Sequence, residues 1–160
     1  MRIINTGGTF NKVYDPVLGK LVVPKSDEAV EAVVAAMRLE VAVEGIIYKD
    51  SLEMDDADRE LLAQRIEASK EPSIVVVHGT DTMTTSAAYV ARRCKKSCIV
   101  FTGAMVPYSI DKAEASANLA LAIAKVKYAW EPGVFIAMHG IVAPYHSVYK
   151  DRKKGVFCLK

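Results

Sequence analysis

Short, almost wholly apolar runs alternate with segments of helical period along this chain, and that alternation constrains its fold more than any other feature. Ser73-Ile74-Val75-Val76-Val77, Cys98-Ile99-Val100-Phe101 and Val134-Phe135-Ile136-Ala137-Met138 have no polar residue at every second place. Strands covered on both faces read this way. Arg2-Ile3-Ile4-Asn5 and Gly45-Ile46-Ile47-Tyr48 belong to the same class. Between them, Val30, Val33, Val34 and Met37 recur at i, i+3, i+4 and i+7, with Ser26 as N-cap and Asp27 and Glu28 in the first turn. Further helices are expected over about Asp55–Ala68, Thr82–Arg93 and Lys112–Lys127. Strands alternating with helices predict a doubly wound α/β domain, with a mainly parallel sheet, right-handed crossovers and helices on both faces. Residues 1–160 read as a single domain with no internal repeat.

Composition narrows the classes of function. Apolar residues make up 51% of the 160 and charged ones 25%, a globular composition. A formal charge of +2 argues for neither a nucleic-acid surface nor a membrane surface. No apolar stretch approaches a membrane span, and the first strand begins too early for a signal peptide. Cys94, Cys98 and Cys158 are an odd set without disulfide spacing. A reduced, cytoplasmic setting is expected. His78, His139 and His146 match no zinc spacing, so no metal and no cofactor is expected.

In an open parallel sheet, ligands bind outside the carboxyl ends of the strands. Thr6-Gly7-Gly8-Thr9, Asp50-Ser51, His78-Gly79-Thr80-Asp81-Thr82, Gly103-Ala104-Met105 and the stretch after Met138 all follow such ends. Paired glycines let backbone approach a ligand closely, threonines bring hydroxyls, and Asp81 brings a charge. Neither glycine string carries a dinucleotide or phosphate-loop pattern. A hydroxyl nucleophile fits better. It needs a base, for which a lysine serves, and backbone N–H donors for an oxyanion, which glycine turns such as those at Gly8 and Gly79 can present. Lys150 follows the fifth strand and can reach the same edge, although within Lys150-Asp151-Arg152-Lys153-Lys154 it also reads as one of several solvated charges. After Thr9, Val13–Val23 holds two β-prone runs around a Pro and Gly turn, a hairpin or flap.

Thr6-Gly7-Gly8-Thr9 and His78-Gly79-Thr80-Asp81-Thr82-Met83 resemble the two signature motifs of the bacterial-type L-asparaginases. Asp50-Ser51-Leu52-Glu53-Met54, Gly103-Ala104-Met105, Ser109-Ile110-Asp111 and Asn118-Leu119 resemble supporting segments of that family, in order and at consistent spacing. The resemblance implies that Thr9 is the nucleophile, attacking the side-chain amide carbon of L-asparagine to give an acyl-enzyme, ammonia and then L-aspartate. It implies that Thr80, Asp81 and Lys150 form a second cluster in which Lys150 polarises the Thr80 hydroxyl. Asp81 would hold the α-amino group, and Ser51 the α-carboxylate. Tyr14 is the candidate flap tyrosine assisting Thr9, with an ordinary hairpin aromatic as the alternative. Ser51 also reads as a cap of the following helix. Thr6 reads as a structural part of its turn, and His78 as a residue that packs or hydrogen-bonds locally.

The family's smaller C-terminal domain has no counterpart in the 160 residues, and Leu52 stands where a polar residue is usual. Two other functions therefore stay open: a catalytically weak binding or regulatory module, and the amidase subunit of a tRNA-dependent amidotransferase. No basic, aromatic-interleaved surface supports RNA contact. A homodimer or higher homo-oligomer is expected, because a neighbouring copy would wall the crevice. The apolar helix with Leu119, Leu121 and Ile123 suits that role, or else burial in its own domain.

Overall fold

The computed structural model describes residues 1–160. Its strands are β1 (Arg2–Gly7), β2 (Val13–Asp15), β3 (Lys20–Val22), β4 (Ala42–Lys49), β5 (Ser73–Val77), β6 (Cys98–Thr102), β7 (Gly133–Met138), β8 (Ile141–Pro144), β9 (Val148–Asp151) and β10 (Val156–Leu159). The helices are α1 (Glu28–Ala36), α2 (Asp56–Glu67), α3 (Met83–Arg93) and α4 (Lys112–Tyr128). Six strands form the central sheet in the order β4-β1-β5-β6-β7-β8. The first five are parallel, and β8 runs antiparallel at the edge. From β1 the chain crosses outward to β4 and then returns past β1 to β5. The strand order therefore reverses between β1 and β5, which is where doubly wound sheets open a crevice for ligands.

Pleating sends alternate side chains to opposite faces, so each apolar run serves two cores. Ile3, Val75, Val77, Val100, Phe135 and Ala137 join one cluster with Val30, Val33 and Val34 of α1 and Leu119, Ala122, Ile123 and Val126 of α4. Ile4, Ile74, Val76, Ile99, Phe101 and Ile136 join the other with Leu62 and Ile66 of α2 and Met83, Ala87 and Val90 of α3. Helices thus cover both faces, as expected.

Three expectations need correction. Leu119 and Ile123 are buried within this core, and Leu121 packs against it, so α4 offers no spare apolar face for a second copy. Asp27, not Ser26, stands at the N-cap position of α1, without a side-chain capping bond, while the Ser26 hydroxyl accepts the Glu28 N–H. The Asp27 carboxylate instead serves the interior, accepting from Asn5, Gly45 and Tyr48. Ser51 does not cap α2, whose start is a reciprocal box between Asp55 and Asp58. Beyond β7, the pair His139 and Gly140, with φ of 52° and 79°, makes a tight hairpin into β8, the left-handed turn that suits strand twist.

Candidate active site

Gly8 and Gly79 set the geometry of the crevice. Gly8 has φ of 75°, and a Cβ built on it would lie 2.4 Å from both Cα and N of Gly79. A Cβ on Gly79 would lie 2.6 Å from Cβ and Oγ of Ser51. The loops after β1 and β5 therefore meet backbone to backbone, at a distance only glycine permits, and Ser51 of the loop after β4 packs its side chain against Gly79. Thr9 and Thr80, the residues following the two glycines, are carried to the same place by that contact.

Around this junction the loops are hydrogen-bonded to one another. Thr6 Oγ1 donates to the Val77 carbonyl at 2.8 Å, tying the start of one loop to the end of β5. Gly8 N–H donates to the Lys49 carbonyl at 2.9 Å, so it is committed to the fold and not free for an oxyanion. The N–H groups of Gly79 and Thr80 make no such bond. Ser51 is 1% exposed. Its carbonyl accepts from Thr82 Oγ1 at 2.8 Å, and its hydroxyl accepts the Thr82 N–H at 3.4 Å. Thr9 is half-buried and opens a single 3-10 turn, Thr9–Asn11.

Lys150 approaches from outside the main sheet. It lies on β9, opposite Phe157 of β10, in a terminal two-stranded hairpin. Its Nζ donates to Thr80 Oγ1 at 2.8 Å and to Asp81 Oδ1 at 3.0 Å, with the Lys150 side chain 13% exposed. Of the basic run it is therefore the lysine that turns inward; Lys154 is 76% exposed and only loosely paired to Asp151. Arg152 also reaches the cluster, placing Nη1 2.7 Å from Asp81 Oδ1 and Nη2 3.3 Å from the Asp81 carbonyl. Sequence reading missed Arg152. The signal was present in the same basic run, but nothing in the run told which charges a hairpin would turn toward the sheet.

On the opposite wall, Lys12 Nζ donates to Asp50 at 2.6 Å. Burial pushes the Asp50 carboxyl up, yet its bonds to Lys12 and to the Leu52 N–H, with the charges of Lys12 and Lys150, hold it below its ordinary value. His78 is fully buried behind Thr80. Burial, aided by the charge of Arg59, lowers its pKa to about 4 against the opposing effect of its bond to Gly79. Its neutral ring donates from Nδ1 to the Gly79 carbonyl at 2.7 Å and lies edge-on to Phe101. Tyr14, on β2, is 63% exposed and makes no hydrogen bond to any of these residues, and Leu52 is 67% exposed. The structure thus gathers Gly8, Ser51, Gly79, Thr80, Asp81 and Lys150 with Thr9 alongside, and leaves Tyr14 apart. Two surface cavities flank the junction. One, of about 430 Å³, lies against Asp81, Lys150 and Arg152; the other, of about 410 Å³, lies against Lys12, Asp50 and the β2–β3 hairpin.

The family model for the asparaginase N-terminal domain matches residues 1–159. The chain belongs to this asparaginase family. No curated protein matches its sequence, but solved structures of asparaginases superpose closely. The thermostable L-asparaginase from Thermococcus kodakarensis aligns with a TM-score of 0.85 at 21% identity, over 98% of this chain and 50% of that one. A probable cytoplasmic L-asparaginase from Campylobacter jejuni aligns with a TM-score of 0.80 at 26% identity, over 99% of this chain and 52% of that one. The chain thus spans about half the length of each of these asparaginases. Both glycine motifs and Lys150 fall within the matched residues. No helix is long and apolar enough to cross a membrane.

Proposed function

We propose that residues 1–160 act as one asparaginase N-terminal-like domain that hydrolyses the side-chain amide of L-asparagine through a threonine acyl-enzyme. The observation that carries this reading is the Lys150–Thr80–Asp81 cluster, hydrogen-bonded at 2.8 Å and 3.0 Å at the point where Gly8 abuts Gly79. Thr9 Oγ1 attacks the amide carbon and forms the ester bond as the C–N bond breaks. Thr80 gives its proton to the departing nitrogen and takes the one that Thr9 loses, so ammonia leaves and no net charge is made. Lys150, donating to Thr80 Oγ1, makes that hydroxyl a better proton donor. Water then cleaves the ester by the reverse relay and releases L-aspartate. Asp81 holds Lys150 in place and, through its other oxygen, accepts from the α-ammonium. Ser51 receives the α-carboxylate, and the N–H groups of Gly79 and Thr80 are the available oxyanion donors.

Ammonia release from L-asparagine, without any partner protein or tRNA, tests this reading. The wild-type chain should release ammonia, and Thr9→Ala should keep its circular dichroism spectrum and lose activity about a thousandfold or more. Equal rates in the two proteins, or no release by the wild type, would reject it.

A further inference from the structure

The hairpin that carries Lys150 stands apart from the six-stranded sheet. β9 and β10 pair with each other and with no other strand, and their main-chain bonds stay within the hairpin and the turn before it, with one exception. Phe157 N–H donates to His139 Nδ1 at 3.1 Å, across to the turn after β7. Hydrogen-bonded and non-hydrogen-bonded pairs alternate along an antiparallel ribbon. Lys160 N–H donates to the Ser147 carbonyl, and counting from that bond makes Lys150 and Phe157 a non-hydrogen-bonded pair, so the Phe157 N–H points outward. The two side chains of such a pair lie on one face of the ribbon at close spacing. Phe157 is buried in the core beneath the sheet, and Lys150 beside it reaches Thr80 and Asp81.

His139 is held on its other sides by the body of the domain. A backbone N–H can only donate, so Nδ1 is the bare nitrogen and Nε2 carries the proton, which it donates to Glu114 Oε1 at 3.0 Å. Glu114 also accepts the N–H groups of Met105 and Val106, at 2.8 Å and 2.9 Å. The His139 N–H donates to Oδ1 of the buried Asn118, whose Nδ2 donates to the Gly103 carbonyl. The ring is thus pinned to α4 and to the loop after β6, and it turns its single acceptor toward the hairpin. We propose that His139 is a positioning residue for Lys150: by accepting the Phe157 N–H it sets where the β9–β10 hairpin stands against the sheet, and so where Lys150 Nζ meets Thr80 Oγ1. The inference rests on the amidase reading for what that contact does, and its test includes readouts that need no turnover.

Two substitutions separate the two bonds of the ring. His139→Asn puts Oδ1 where Nδ1 stands, keeping the acceptor for Phe157 and giving up the donor to Glu114; asparagine also tolerates the φ of 52°. His139→Gln keeps a donor for Glu114 and gives up the acceptor. With lysines isotopically labelled at the ε-carbon, the Lys150 resonance is assigned by its loss in Lys150→Met. It should stand apart from those of exposed lysines such as Lys154 in wild type and His139→Asn, and move toward them in His139→Gln. The Phe157 amide should exchange about tenfold more slowly in wild type and His139→Asn than in His139→Gln. On L-asparagine, kcat should fall about tenfold in His139→Gln with KM nearly unchanged, and stay within about threefold of wild type in His139→Asn. A Lys150 resonance unmoved in His139→Gln overturns the proposal, as do equal effects of the two variants. So does a Phe157 amide that exchanges freely in wild type, a measurement that needs no variant. Absence of ammonia release by wild type would reject the amidase reading alone, because resonance and exchange are read on the unliganded protein.

Discussion

Gly8 and Gly79 touch backbone to backbone, so closely that a methyl group on Gly8 would overlap Cα and N of Gly79 at 2.4 Å. The obstructing atoms are main chain and cannot rotate away, and Gly8 also holds φ of 75°. Gly8→Ala therefore combines left-handed strain with overpacking and should cost about 3 kcal/mol of stability. Gly19 is the control. Its φ of 63° is similar, but a Cβ there meets nothing within 4 Å, so Gly19→Ala should cost about 1 kcal/mol. Urea midpoints compare the two; equal losses would mean that the contact between the loops contributes nothing.

Lys150 and Lys154 share one hairpin, the first turned inward onto Thr80 and Asp81 and the second exposed. Lys150→Met removes the donor to Thr80 and leaves Asp81 with Arg152 alone. Turnover should fall by about a hundredfold or more, while Lys153→Met and Lys154→Met should stay within twofold of wild type. Similar small effects at all three positions would return Lys150 to the solvated charges.

His78 makes stability depend on pH. Its pKa is lowered from 6.5 to about 4 by burial, and its Nε2 is enclosed without a hydrogen-bond partner. Protonation would put an unpaired N–H and a charge beneath the Thr80 loop. Below pH 6.5 the unfolded chain takes up this proton and the folded chain does not, so stability falls as pH drops from 6.5 and stops falling near 4. The loss is about 3 kcal/mol across that window. His78→Gln should flatten this part of the curve of melting temperature against pH. A curve of unchanged slope would show that His78 does not carry it.

The sheet was legible in the sequence because its strands are buried on both faces and carry their signal in every residue, as Ile74–Val77 do. The site edge followed from the strand ends. What escaped was decided by contacts at long range. Pro144, at the end of β8, speaks against a central strand but is acceptable on an edge, where β8 lies. Ser26 is as good a cap residue as Asp27, and the choice between them rests on interior bonds from Asn5, Gly45 and Tyr48 that no local pattern encodes. Arg152 was hidden in a charge run whose meaning depends on the register of β9 with β10. The apolar residues of α4 announced burial without saying against what, and they are covered by the chain's own sheet.

Tyr14 is the residue whose place in the static structure differs most from the role that the resemblance gives it. The β2–β3 hairpin that carries it contains three residue pairs, Val13↔Val22, Tyr14↔Leu21 and Asp15↔Lys20, and Val17 and Leu18 at its tip are exposed. Its base is held firmly. Tyr108 N–H donates to the Phe10 carbonyl at 3.2 Å, Ser109 Oγ donates to the Lys12 carbonyl at 2.7 Å, and Lys12 pairs with Asp50. A two-stranded ribbon without a third strand is marginal in water, so the hairpin should open readily about this anchored base and close when a ligand fills the crevice. Amides from Val13 to Val23 should exchange rapidly in the free protein and slow about tenfold or more with bound L-aspartate, while the Tyr108 amide stays protected in both states. Tyr14→Phe should then reduce turnover with little change in stability, because the hydroxyl has no partner to lose in the open form. Equal protection of the hairpin with and without ligand would mean that it is no lid, and Tyr14 would be an exposed hairpin aromatic and nothing more.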